Sequence, residues 1–134
     1  FITHECLHGI YFTEESFRNT VAKAFQQTDP RAVLFLRRYF EIYPTLQYNT
    51  DDEQLLHNEF MAYLLQQSRS SIQQYYNRIS WFRIMNKTEP ALCRYIRKTN
   101  AKDFMQAAAQ MSFFLYTAWG IKGGRIHLAE IEAL

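Results

Sequence analysis

Glycine and proline are scarce in this chain of 134 residues, which contains four glycines and three prolines. Because these two residues mark most tight turns, the chain is poorly suited to a β-sandwich or β-barrel with many short connections. Apolar residues instead recur three and four positions apart over long runs, as at Phe104, Ala108, Met111, Leu115 and Ala118. The sequence therefore predicts a mainly α fold, with one helical domain over residues 1–134.

Capping patterns predict several helix boundaries. Asp29 before Pro30 is typical of a helix start, with the helix continuing to about Ile42. Thr50 and Glu53 form a capping-box pattern that predicts a helix running to about Gln67. Further helices are expected at 14–27, 72–85, 100–119 and 125–134, and another is expected to start at Thr88-Glu89-Pro90. Gly120 is expected to end the helix at 100–119.

Composition and charge exclude some classes of protein. The formal net charge of +2 is too small to suggest nucleic acid or an anionic membrane as a partner. The best candidate for a membrane span, residues 107–119, is short and interrupted by Gln110 and Ser112, so no span is predicted. Cys6 and Cys93 form no disulfide framework, and both are expected to be buried.

The pentapeptide His4-Glu5-Cys6-Leu7-His8 is a candidate metal site. On a helix, residues four apart lie on the same face, so the imidazoles of His4 and His8 can bind one Zn²⁺ together. Glu5 is then one position from the first ligand, where its carboxylate can reach a water on the metal. The flanking residues are uncharged, which indicates a helix lying between the core and the metal.

Glu59 is the candidate third ligand. It lies in the predicted helix that starts near Thr50, and its neighbours at three and four positions are uncharged. Burying a lone carboxylate is very costly, so an acid on an apolar face needs a partner, and the proposed metal is available. If Glu59 fails to converge with the histidines, Asp51, Asp52 or Glu53 would be considered instead, and His57 is expected at the surface.

The pentapeptide together with Asn58-Glu59 on a later helix resembles the zincin metallopeptidases, specifically the gluzincin branch. The resemblance implies that His4, His8 and Glu59 hold Zn²⁺ and that Glu5 is the general base in hydrolysis of a peptide or protein substrate. It also implies a sheet upstream of the first motif. Since the chain begins three residues before His4, we expect it to be the helical C-terminal part of a longer protein.

Other parts of the predicted site stay open. The residue that stabilises the oxyanion could be Tyr43, Tyr48, Tyr116 or His127, and Tyr63 stands where the gluzincin branch often has an aspartate that orients a ligand histidine. Two alternatives to a peptidase remain. One is a zincin-like metal-binding module without activity, and the other is a metal-free helical interaction domain. The sequence assigns no cellular compartment.

Overall fold

A computed structural model describes residues 2–43, 46 and 48–124, and every regular element in these residues is an α-helix. This confirms the prediction of a mainly α fold. The helix expected at 125–134 lies outside the described residues. The helices are α1 Ile2–Thr13, α2 Glu15–Gln27, α3 Pro30–Ile42, α4 Glu53–Leu65, α5 Ile72–Ile79, α6 Arg83–Thr88, α7 Pro90–Lys98 and α8 Lys102–Trp119.

Helix α4 is the centre of the fold. Every residue from Leu56 to Leu65 is buried, as expected for a helix that is covered on all sides. Helices α1, α2 and α8 pack directly against it, while α3, α6 and α7 form a second group that packs together. The polar residues His57, Asn58 and Glu59 of α4 therefore sit inside the protein and need partners there.

Helix α1 is attached to the fold by one narrow face. Its buried residues are Leu7 and Tyr11, which lie four positions apart and face α4 and α2. Cys6 is exposed, which contradicts the expectation that it would be buried. It lies about 100° around the helix from Leu7, outside that narrow face.

Two predicted boundaries are confirmed by the backbone. Helix α3 begins at Pro30, and the Asp29 carboxylate accepts a hydrogen bond from the Arg31 N–H at 2.9 Å. Helix α8 ends before Gly120, which has a φ of 68°, a conformation that glycine adopts without strain.

Two other boundaries were wrong. The cap of α4 is Asp52, because the Thr50 hydroxyl donates to the Glu41 carboxylate at 2.7 Å instead of capping the helix. The helix predicted at 72–85 is divided into α5 and α6. At the break, the carbonyl of Ser80 accepts a hydrogen bond from the Arg97 guanidinium at 2.6 Å, so a tertiary contact replaces helical continuation.

Over the residues that the structure covers, no helix combines the length and apolar character needed to cross a membrane.

Candidate metal centre

His4 and His8 of α1 meet Glu59 of α4 at a partly buried position between the two helices. The Nε2 atoms of the two imidazoles are 2.9 Å apart. Nε2 of His4 lies 3.5 Å from one carboxylate oxygen of Glu59, and Nε2 of His8 lies 3.5 Å from the other. One ligand atom from each residue lies within 4.8 Å of the others, which is close enough for a single metal ion to contact all three.

Two amide side chains of the α4 segment orient the imidazoles. Nδ1 of His8 lies 2.8 Å from Oδ1 of Asn58, and Nδ1 of His4 lies 3.0 Å from Oε1 of Gln66. Because an amide oxygen can only accept, each Nδ1 must carry the proton. Each Nε2 then offers its lone pair to the shared point, which is the tautomer that a metal-binding histidine needs.

Glu59 is a buried carboxylate with one oxygen unsatisfied. The residue is 5% exposed, and its buried Oε2 has no hydrogen-bond partner among the residues that the structure describes. The nearby Glu59 carboxylate is the main cause that raises the pKa of His4, against the opposing effect of burial. The cluster therefore attracts positive charge, which either a proton on His4 or a cation at the shared point supplies.

The donor set fits Zn²⁺. Two imidazole nitrogens and one carboxylate oxygen are the protein ligands of many catalytic zinc sites, which leave a fourth position for water or substrate. Such an ion would bind the free oxygen of Glu59 and the Nε2 lone pairs of the two histidines.

Glu5 lies on the solvent side of the cluster. Its side chain is exposed, and it makes no hydrogen bond or ion pair with the residues that the structure describes. Its negative charge adds slightly to the raised pKa of His4, which is due chiefly to Glu59, and to that of Tyr48, which is due chiefly to burial. Glu5 is thus near the cluster and free to contact a water or substrate.

Tyr63 and Tyr48 form one wall of the site. The Tyr63 ring meets the His4 ring edge-on, with centroids 5.2 Å apart. The hydroxyls of Tyr48 and Tyr63 are 3.5 Å apart, and burial raises the pKa of both. The negative charge of Glu59 adds to the raised pKa of Tyr48, so both tyrosines stay protonated beside the cluster.

The structure does not bring the other candidates to this cluster. Tyr43 packs against Phe82, and its pKa is raised by burial while an interaction with the Met85 backbone opposes that rise. Tyr116 is exposed and lines a groove with Phe113 and Ile121. His127 lies outside the described residues.

The alternative acids have other roles. Asp51 pairs with Arg37 at 2.9 Å, Asp52 caps α4, and Glu53 is exposed. His57 is buried against Phe25, with ring centroids 4.3 Å apart, so the expectation that it would be at the surface was wrong. Burial lowers its pKa, because the central position of α4 covers it from several sides.

The orienting residues were missed at the sequence level. Gln66 lies seven positions after Glu59, which is about two helical turns, and so shares its face of the α4 segment. That spacing was a usable signal for Gln66. Asn58 adjoins Glu59 in the sequence, but its contact with His8 depends on how α1 packs against α4.

Comparisons with protein family models, with curated proteins and with solved structures gave no match.

Proposed function

We propose that this chain is a zinc-dependent peptidase, in which His4, His8 and Glu59 hold Zn²⁺ and Glu5 is the general base. One observation carries the proposal. Two imidazoles with Nδ1 fixed by amide oxygens and one buried carboxylate converge on a single point. We also propose that this chain is the helical part of a zincin-like domain of the gluzincin branch.

The two carboxylates have different environments and therefore different roles. A Zn²⁺ ion at the shared point would polarise a peptide carbonyl and lower the pKa of a water. Glu59 is buried and faces both imidazoles, so it serves as a ligand and is not free to move protons. Glu5 is exposed beside the cluster, so it can take the proton of the attacking water and deliver it to the leaving amine.

The tyrosine pair supplies a donor for the developing oxyanion. Tyr48 is half-buried, and its hydroxyl lies beside that of Tyr63 and interacts with Glu59. A neutral phenol in this position can donate a hydrogen bond to a negatively charged oxygen without first losing its proton. Among the named oxyanion candidates in the described residues, Tyr48 is therefore the best placed.

Metal content tests the ligand set. We expect about one zinc per chain in the wild type by elemental analysis, and loss of zinc in His8→Ala and Glu59→Gln. Glu53→Gln is the matched control, because Glu53 is on the same helix with an exposed side chain. A wild-type protein without zinc, or a Glu59→Gln variant that keeps it, would overturn the metal site.

Peptidase activity tests the role of Glu5. We expect Glu5→Gln to retain zinc and to cleave an unfolded protein substrate about 10²- to 10⁴-fold more slowly. Glu15→Gln removes a similarly exposed carboxylate from the first turn of α2 and should leave the rate unchanged. If the zinc-loaded wild type is no faster than Glu5→Gln, the site binds metal without catalysing hydrolysis.

A further inference from the structure

The net charge of +2 conceals an uneven distribution of charge. Residues 2–68 contain nine acidic and five basic residues, whereas residues 72–102 contain seven basic residues and one acidic residue, Glu89. Glu89 is already paired with Arg38 of α3 at 2.6 Å. None of those seven basic residues forms an ion pair with any residue that the structure describes. Arg83, Lys87 and Arg94 are also exposed, so their charge is available to a partner.

Part of this charge is exposed on the outer sides of α6 and α7, two helices that pack against each other. Arg83 and Lys87 each lie two positions from Met85, which is fully buried, so both are about 200° around the helix from the core side. Arg94 is similarly opposite to buried Ile96 on α7. The chain at the start of α6 adds two exposed apolar side chains, Trp81 and Ile84, which are 67% and 52% exposed. We call Trp81, Arg83, Ile84, Lys87 and Arg94 the basic face.

Arg97 fixes the position of Trp81. Its guanidinium lies 4.1 Å from the centroid of the indole. The same group donates to the Ser80 carbonyl at 2.6 Å and to Oδ1 of Asn86 at 3.3 Å. The turn between α5 and α6 is thereby attached to α7, and the indole is held at the surface instead of packing into the core.

We propose that the basic face binds the surface of an anionic lipid bilayer. Indole rings prefer the boundary between headgroups and acyl chains. Transfer of an exposed aliphatic side chain from water to this boundary is also favourable. Lysine and arginine next to such side chains are attracted to anionic headgroups. The basic face combines all three kinds of residue, and Glu89, the one acid of residues 72–102, is neutralised by Arg38.

Nucleic acid fits this surface less well. Proteins that bind single strands use aromatic side chains as stacking platforms for successive bases along a basic groove. The basic face has one aromatic ring, that of Trp81, so it offers no series of platforms for successive bases. Ile84 has no stacking role, whereas a membrane surface gives its exposed side chain a favourable environment.

Vesicle binding tests the proposal. The intact chain is sedimented with vesicles of phosphatidylcholine alone, or of phosphatidylcholine containing phosphatidylserine, at low and high salt. We expect binding that requires phosphatidylserine and weakens with salt. The triple variant Arg83→Gln, Lys87→Gln, Arg94→Gln should bind about a hundredfold more weakly. A matched control, Lys23→Gln, Arg69→Gln, Lys122→Gln, removes the same charge from exposed positions elsewhere and should retain most of the binding.

Fluorescence locates the contact. Trp81 and Trp119 are the two tryptophans of the chain, so Trp119→Phe leaves the indole of the basic face as the sole reporter. Its emission should move to shorter wavelength on anionic vesicles. The proposal is overturned if the wild type does not bind, if both triple variants lose binding equally, if Trp81 emission is unchanged, or if a single-stranded oligonucleotide binds more tightly than the vesicles. Circular dichroism and thermal unfolding confirm that the variants are folded.

Discussion

Replacing Asn58 with alanine measures what the amide that orients His8 contributes to zinc affinity. The Oδ1 atom of Asn58 lies 2.8 Å from Nδ1 of His8, and Asn58 is only 4% exposed, so bulk water has little access to replace it. In the variant, the Nδ1–H loses its acceptor and the ring is no longer fixed in the metal-binding tautomer. Loss of such a partner typically weakens metal affinity 10- to 100-fold, which is about 1.4–2.7 kcal/mol.

The structure also predicts which of two variants, Asn58→Ala or Gln66→Ala, loses more zinc affinity. Gln66 holds His4 through a longer contact of 3.0 Å, and its side chain is more exposed than that of Asn58. Water can therefore replace the Gln66 oxygen more readily. We expect Gln66→Ala to fall at the lower end of the range, near 10-fold, and Asn58→Ala at the upper end.

Zinc affinity is measured by competition with a chromophoric chelator at constant pH and salt. Gln54→Ala is the matched control, because it removes an exposed amide from the same helix without touching either histidine. Asn58→Asp keeps an oxygen acceptor and should recover most of the affinity. If Asn58→Ala binds zinc as tightly as the wild type, or if Gln54→Ala weakens it equally, the inferred role of the amide is wrong.

Two further predictions concern the stability of the fold. Burial disfavours the charged form of Glu41, yet hydrogen bonds from Arg38, Thr50 and Arg37 outweigh it and hold the pKa of Glu41 below its ordinary value of about 4.5. The stabilisation is therefore complete above about pH 4.5 and is lost as the pH falls through the lower folded-state pKa of Glu41. In denaturant unfolding at a series of acid pH values, Glu41→Gln should make the free energy of unfolding depend less steeply on pH. The buried hydroxyl of Tyr76 has no hydrogen-bond partner in the described part of the chain, so Tyr76→Phe should leave the free energy of unfolding unchanged or raise it by about 1 kcal/mol. A loss of more than about 1 kcal/mol would contradict this account.

The sequence predicted a helix boundary correctly where the residues at that boundary form it by themselves. Asp29 and Pro30 cap and start α3 through their own side chains and backbone, so the boundary needs no tertiary information. Thr50 had the right sequence pattern for a cap, but Glu41 of α3 takes its hydroxyl. The break before α6 likewise depends on Arg97, which is distant in sequence from Ser80. Local patterns could not predict these contacts, because the competing partners are distant in the sequence.

The predicted site shows the same division. The spacing of His4 and His8 and the unusual apolar surroundings of Glu59 were enough to predict that the three would converge, and they lie within reach of one ion. Whether they bind zinc stays a prediction. The burial of His57 and the contact of Asn58 with His8 depend on which helices cover α4, and this information is absent from the periodicity of α4 itself.

The narrow attachment of α1 has a thermodynamic consequence. Both histidines belong to α1, whereas Glu59, Asn58 and Gln66 all belong to α4 or its end, so the site exists only while α1 is docked. Docking of α1 and zinc binding are then linked equilibria, and the measured affinity is the intrinsic affinity multiplied by the docked fraction. A change at Leu7 or Tyr11, neither of which belongs to the ligand set, would therefore weaken zinc binding by reducing that fraction. Zinc in turn should slow hydrogen exchange of the α1 amides.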